Sequence, residues 1–301
     1  MSGGADSAKA VVYALGANFA IAITKYAAAA ITGSSSMLAE AFHSTADCGN
    51  QLLLLLGIKR AKLPPTPDFP LGFGKETYFW SFVVAIMLFS VGGMFSIYEG
   101  WHKLGESDPV ERPLVALGVL LFGICAESFS MWGALREVNK LRGGQSLWRW
   151  FRVSRNAELV VIFGEDLAAL VGLVLAFAAI LIAWITGNPA WDAAGSIAIG
   201  VLLIAVAIAV AIEVKALLVG QGVEPQVRTA MVDFLCAQAA VEQVLNLLTL
   251  HLGADVMVAV KAKMRPQGGE EALIEAINAV EAAFRKEFPQ VKWLFFEPDL
   301  R

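Results

Sequence analysis

The chain has 301 residues, 57% of them hydrophobic and only 17% charged, a balance that excludes an ordinary soluble protein. A net charge of −4 leaves no basic surface for nucleic acid, so no nucleic-acid partner is expected. Cys48, Cys125 and Cys236 form no CxxC pair, which excludes a disulfide framework or a thiolate metal cluster. The N-terminal stretch lacks the charge and cleavage pattern of a removable signal, so the first apolar segment is expected to stay in the membrane.

Crossing a bilayer takes about 20 apolar residues in a helix. Six segments meet that length in chain order: 11–31, 37–57, 78–97, 113–132, 159–185 and 193–212. Basic residues sort by loop. Lys59, Arg60, Lys62 and Lys75 follow the second segment, and Arg136, Lys140, Arg142, Arg149, Arg152 and Arg155 follow the fourth. The opposite loops hold Lys103 and Arg112, so both termini are expected on the cytoplasmic side of a multi-pass protein, here assigned to the cell (inner) membrane. Arg149, Arg152 and Arg155, interleaved with Trp148 and Trp150, read as a segment drawn to anionic lipid.

From about Val219 the pattern changes. A helix is expected over 226–239, strands over 244–252 and 255–264, a helix over 271–287 and a strand over 291–297. In the second strand Val256, Val258 and Val260 alternate with Lys261 and Lys263, one face apolar and one charged. The expected fold class is therefore an all-α six-helix membrane bundle (1–218) followed by a small αββαβ domain of the α+β class (219–301). A core of that size is modest, which favours dimerisation.

Ionisable residues inside a membrane helix cost about 2.5–3.5 kcal/mol each on an insertion scale, and persist where they pair, line water or bind an ion. The second segment carries His43 and Asp47 at i and i+4, on one face and one turn apart. That spacing lets an imidazole nitrogen and a carboxylate oxygen reach one cation; the alternative is a His–Asp hydrogen bond between packed helices. Asn50 continues the stripe, and Glu40 precedes it by a turn. The fifth segment carries Glu165 and Asp166, adjacent and so about 100° apart around the helix. The candidate metal set is His43, Asp47, Asp166 and Glu165, with Asp166 the better placed of the two acidic neighbours. Glu127, in the fourth segment, is a candidate partner for Lys25 in the first.

The run Gly33-Ser-Ser-Ser-Met-Leu-Ala-Glu-Ala-Phe-His-Ser-Thr-Ala-Asp47 closely resembles the second-helix signature of the cation diffusion facilitator family. Pro70-Leu-Gly-Phe-Gly-Lys-Glu-Thr-Tyr-Phe-Trp80 resembles the family's entry to the third helix, and Trp191-Asp192 with Ser196 its sixth-helix start. The resemblance spans nearly the whole chain and implies six helices followed by a ferredoxin-like cytoplasmic domain. It implies a homodimer that expels a divalent transition-metal ion, Zn²⁺ first, by proton-coupled antiport and alternating access. An exporter of Mn²⁺, Fe²⁺ or Co²⁺ on the same fold, and a membrane metal sensor or scaffold without turnover, are the alternatives.

The family's ligand pattern is a pair on each of two helices. His43 and Asp47 match the first pair; in the second, Asp166 matches, but Ile162 stands four residues before it. Glu165, Asn50 or water is left to complete the set. The Glu165-Asp166 sequence resembles an organellar zinc-transporter-like branch. Phe69 and Phe73 stand where the family's auxiliary site has histidines, so one metal site per protomer is expected and no cytoplasmic cluster. His251 reads as a structural or dimer-interface residue. No HExxH or GxSxG motif is present; a secondary transporter is expected rather than an enzyme, with no cofactor beyond the transported ion.

Overall fold

A computed structural model describes residues 3–105, 110 and 112–300, apart from the side chains of 3–14 and 17. The opening of the first expected span, 11–14, thus has its backbone described but not its side chains. The chain divides into two compact units. One comprises 1–59, 79–152 and 156–214; the other comprises 60–78, 153–155 and 215–301.

The first unit is helical. It is built from α1 (Gly3–Thr32), α2 (Ser35–Ala61), α3 (Glu76–Met87), a π-helical stretch (Leu88–Met94), α4 (Phe95–Lys103), α5 (Pro113–Leu141), a short α6 (Leu147–Val153), α7 (Ala157–Thr186) and α8 (Ala190–Val219). Four helices among the described residues are long and apolar enough to cross a membrane: Glu76–Lys103, Pro113–Leu141, Ala157–Thr186 and Ala190–Val219. α1 and α2 run for 30 and 27 residues. α2 falls short in hydropathy because Glu40, His43, Asp47, Asn50 and Gln51 interrupt its apolar run.

The unit's core draws on every long helix. Ala28 and Ala29 of α1, Met37 of α2, Leu88, Leu120 of α5, Leu173, Ala176 and Ile180 of α7, and Ile199 and Leu203 of α8 form one buried cluster. Its outside is apolar too: Phe122, Phe129 and Ile185 are 67%, 73% and 73% exposed. An apolar exterior of that extent suits a hydrocarbon surround rather than water.

Small residues let the helices approach closely. A Cβ on Gly93 would lie 2.5 Å from Ile204 Cγ1, and one on Gly100 would lie 2.6 Å from the Ala193 carbonyl oxygen. The π stretch and α4 therefore lie backbone-close against α8, and Ser196 Oγ donates to the Ser96 carbonyl across 2.7 Å. The Gly92-Gly93 pair is where the helix widens to π geometry.

The second unit contains α9 (Pro225–Cys236), β1 (Val241–Leu252), β2 (Asp255–Met264), α10 (Glu270–Glu287) and β3 (Val291–Pro298). β2 is central, antiparallel to β1 and parallel to β3. Val256, Val258, Val260 and Ala262 of β2 face the helices and meet Met231, Leu235, Val280 and Phe284. β1 begins three residues earlier than expected. Register shifts at Val241/Gln243 and Val244/Asn246 break the two-residue period there, so alternation alone does not mark the start. Tyr78 Oη also belongs to this unit, accepting from Gly253 N at 3.0 Å.

α6 was not expected as a helix. Trp150 is buried, its ring edge-on to Phe163 at 5.9 Å between centroids. Arg152 pairs with Glu213, and Arg155 donates to the Gly222 carbonyl at 2.9 Å. Two of the three arginines read as lipid-facing are thus engaged within the protein.

Candidate metal centre

α2 carries the site. Its serine run Ser34-Ser35-Ser36 is a helix-start signal, and the start is held from another helix. The Asp192 carboxylate, at the beginning of α8, accepts from Ser34 Oγ (2.8 Å), Ser35 N (2.8 Å), Ser35 Oγ (3.1 Å) and Ser36 N (3.3 Å). Ser36 Oγ donates back to the Asp192 carbonyl at 2.8 Å. A carboxylate at a helix N-terminus satisfies amides that lack partners within the helix and complements its dipole.

Helical geometry then places Glu40, His43, Asp47 and Asn50 on one inward stripe. Glu40, His43 and Asn50 are fully buried. His43 Nδ1 and Asp47 Oδ1 are 3.6 Å apart, beyond hydrogen-bond range. Both ring nitrogens of His43, Oδ1 of Asp47 and Oδ1 of Asn50 are buried with no hydrogen-bond partner. The plain alternative, a His–Asp hydrogen bond, is therefore not formed. Each such unsatisfied group costs about 1–3 kcal/mol, which a cation ligated by them would offset. Gly92 of the π stretch comes close to the imidazole: a Cβ there would lie 4.0 Å from His43 Nδ1.

Glu165 and Asp166 diverge, as adjacent helical residues must. Glu165 is buried and accepts a hydrogen bond from Asn50 Nδ2 at 2.5 Å, which turns it towards α2. Asp166 is half-buried and accepts from Ser130 Oγ of α5 at 3.2 Å. The structure thus brings His43 beside Asp47 and links their helix to Glu165, while Asp166 is engaged by α5. Among the described residues, no group of three or more His, Cys, Asp or Glu lies close enough to hold a metal ion.

Lys25 does not pair with Glu127. Its ammonium lies 3.0 Å from Glu40 Oε2 and donates to Ser44 Oγ at 2.8 Å, all within the buried interior. Sequence reasoning missed this pair, the Asn50–Glu165 bond and the Asp192 clamp. Glu40, a turn before His43 on the same stripe, was the available signal for the first.

Residues 11–219 match the profile of the cation efflux transmembrane domain. The chain is 32% identical over 247 residues to the mitochondrial proton-coupled zinc antiporter SLC30A9 of Xenopus laevis, an alignment covering 81% of this chain and 44% of that protein. It is 30% identical over 238 residues to metal tolerance protein C4 of Arabidopsis thaliana, covering 78% and 52%. It is 25% identical over 127 residues to the zinc transporter ZitB of Escherichia coli, covering 42% and 40%. The chain therefore spans about half the length of the relatives it matches.

Proposed function

The chain belongs to the cation efflux family of membrane transporters, and on that footing we propose that it exports a divalent transition-metal ion, Zn²⁺ first, in exchange for protons. The observation that carries this reading is that both ring nitrogens of buried His43 and Oδ1 of Asp47 lie side by side on one face of α2 without hydrogen-bond partners. The names of the SLC30A9 and ZitB relatives support zinc as cargo, and that of the former supports proton coupling.

In this reading α1, α2, Glu76–Lys103, α5, α7 and α8 are six spans, with both termini cytoplasmic. Residues 219–301 form a ferredoxin-like domain in the cytoplasm through which two copies assemble. The cell membrane remains the assigned location, although the SLC30A9 relative is named as mitochondrial.

His43 and Asp47 of α2 form the half of the proposed site that the structure holds together, and Glu165 and Asp166 of α7 join them when α7 turns relative to α2. Imidazole and carboxylate bind metal only when deprotonated, so protons and metal compete for the same atoms. Alternating access then lets the ion load from one side and protons expel it on the other. Asn50 holds Glu165 towards α2 through its amide.

One imidazole among carboxylate oxygens is an oxygen-rich donor set, which favours the second reading, an exporter of Mn²⁺, Fe²⁺ or Co²⁺. Flux into proteoliposomes of each ion, with and without a pH gradient, separates the two. Zn²⁺ uptake that collapses with the gradient supports the first. Metal binding without flux for any ion would leave a sensor or scaffold.

A further inference from the structure

An ammonium held beside the metal-site stripe is a costly feature. Lys25 is 2% exposed and Glu40 is 0% exposed, so both charges are removed from solvent. Replacing such a pair by apolar residues is often neutral or stabilising, so the pair is weak evidence for a stability role. It joins α1 to α2, and α7 is shaped around it: a Cβ on Gly172 would lie 2.7 Å from Glu40 Oε1.

Glu40 also has an unspent oxygen. Oε2 is taken by Lys25, whereas Oε1 is buried with no hydrogen-bond partner. Glu40, His43 and Asp47 fall at i, i+3 and i+7, one stripe of the same helix.

We propose that Lys25 is a selectivity-determining residue: its ammonium holds Glu40 out of the ligand set, keeping the site poorer in oxygen than the α2 sequence allows. This rests on the transport reading above. A free Glu40 carboxylate would add one or two oxygens and one negative charge beside His43 and Asp47. Added oxygen ligands favour Mn²⁺ and other harder ions over Zn²⁺, which prefers four donors including nitrogen. The tethered cation thus sets the relative affinity for Zn²⁺ and Mn²⁺ without touching either ion.

The test is the ratio of Zn²⁺ to Mn²⁺ affinity of the purified 301-residue chain in lipid nanodiscs, measured by calorimetry. Lys25→Met is expected to raise Mn²⁺ affinity relative to Zn²⁺ by about tenfold, the scale on which groups just outside a metal's ligands act. Lys25→Met/Glu40→Gln removes both charges and is expected to restore the wild-type ratio. Glu40→Gln alone is expected to keep that ratio, since Glu40 does not ligate while Lys25 holds it. This last variant leaves Lys25 in place and stands as a test even if Lys25→Met does not fold. An unshifted ratio in Lys25→Met, a shifted one in the double variant, or a shifted one in Glu40→Gln would each overturn the proposal. Wild-type protein that binds neither ion would instead sink the transport reading itself.

Discussion

Asn50 Nδ2 donates to Glu165 Oε1 across 2.5 Å, and this contact joins α2 to α7 one turn beyond Asp47. The amide leaves its own Oδ1 buried and without a partner, so Asn50 is spent on orienting Glu165 rather than on packing. Asn50→Ala removes the donor and leaves a buried carboxylate to reorient. Zn²⁺ affinity is expected to fall by about 10–100-fold, the usual cost of losing a group that orients a ligand. Equilibrium binding to the purified chain measures it, and unchanged affinity would detach Asn50 from the site.

His43 sits where function and stability oppose each other. Neither ring nitrogen has a hydrogen-bond partner, and the residue is fully buried. His43→Leu fills similar space without polar atoms, so it is expected to stabilise the metal-free protein by about 1–2 kcal/mol. The same variant is expected to lose any rise in melting temperature on adding Zn²⁺. Asp47→Ala is expected to abolish proteoliposome uptake. Melting curves with and without Zn²⁺ check the first variant; a lowered metal-free midpoint would mean the imidazole has a structural partner.

Much of this was legible in the sequence. Hydrophobic length gave the long helices, and the i, i+4 spacing of His43 and Asp47 gave their shared face. The change of period near Val219 gave the helix and strand order of the second unit. What was hidden was pairing. The apolar segments hold five acidic residues, Glu40, Asp47, Glu127, Glu165 and Asp166, and charge alone does not choose a partner for Lys25 among them; the contact with Ser44 Oγ and the space opposite Gly172 do. The choice between Glu165 and Asp166 likewise depends on the rotation of α7, which the sequence of one helix does not specify. The bulges that open β1 erased the alternation that marks a strand.

His251 gives the second unit a pH response. Burial above all, and then the Arg155 charge, hold its imidazole below the ordinary value, against a hydrogen bond with the Gly253 backbone that raises it. The folded state therefore resists a proton that the unfolded chain takes up near pH 6.5. The stability at stake is complete above that pH and is lost as pH falls through it, until the lower folded value is passed. Moving from about pH 7.5 to about pH 5.5 is expected to lower the unfolding midpoint of the wild-type chain more than that of His251→Gln. Parallel pH profiles for the two would remove His251 as the cause.

The clamp at Asp192 ties the position of the metal stripe to a residue far along the chain. Its two carboxylate oxygens take two backbone amides and two hydroxyls from Ser34, Ser35 and Ser36, all buried. Hydrogen bonds to a charged acceptor contribute about 1.5–3 kcal/mol each, and losing the acceptor strands the donors without water. Asp192→Ala is therefore expected to destabilise the chain by roughly 3–5 kcal/mol, the range for stripping one side of a buried charged network. Asp192→Asn keeps one acceptor oxygen and is expected to fall between. Because α2 begins at this clamp and His43 lies two turns further on, the frayed start should also show as faster amide exchange at Ser35, Ser36 and Met37. Hydrogen-exchange mass spectrometry of the two variants against wild type reads this. Exchange at the start of α2 that is unaltered in Asp192→Ala would mean the helix is held by its packing alone, through Met37 in the core, and that the carboxylate does not fix where His43 stands.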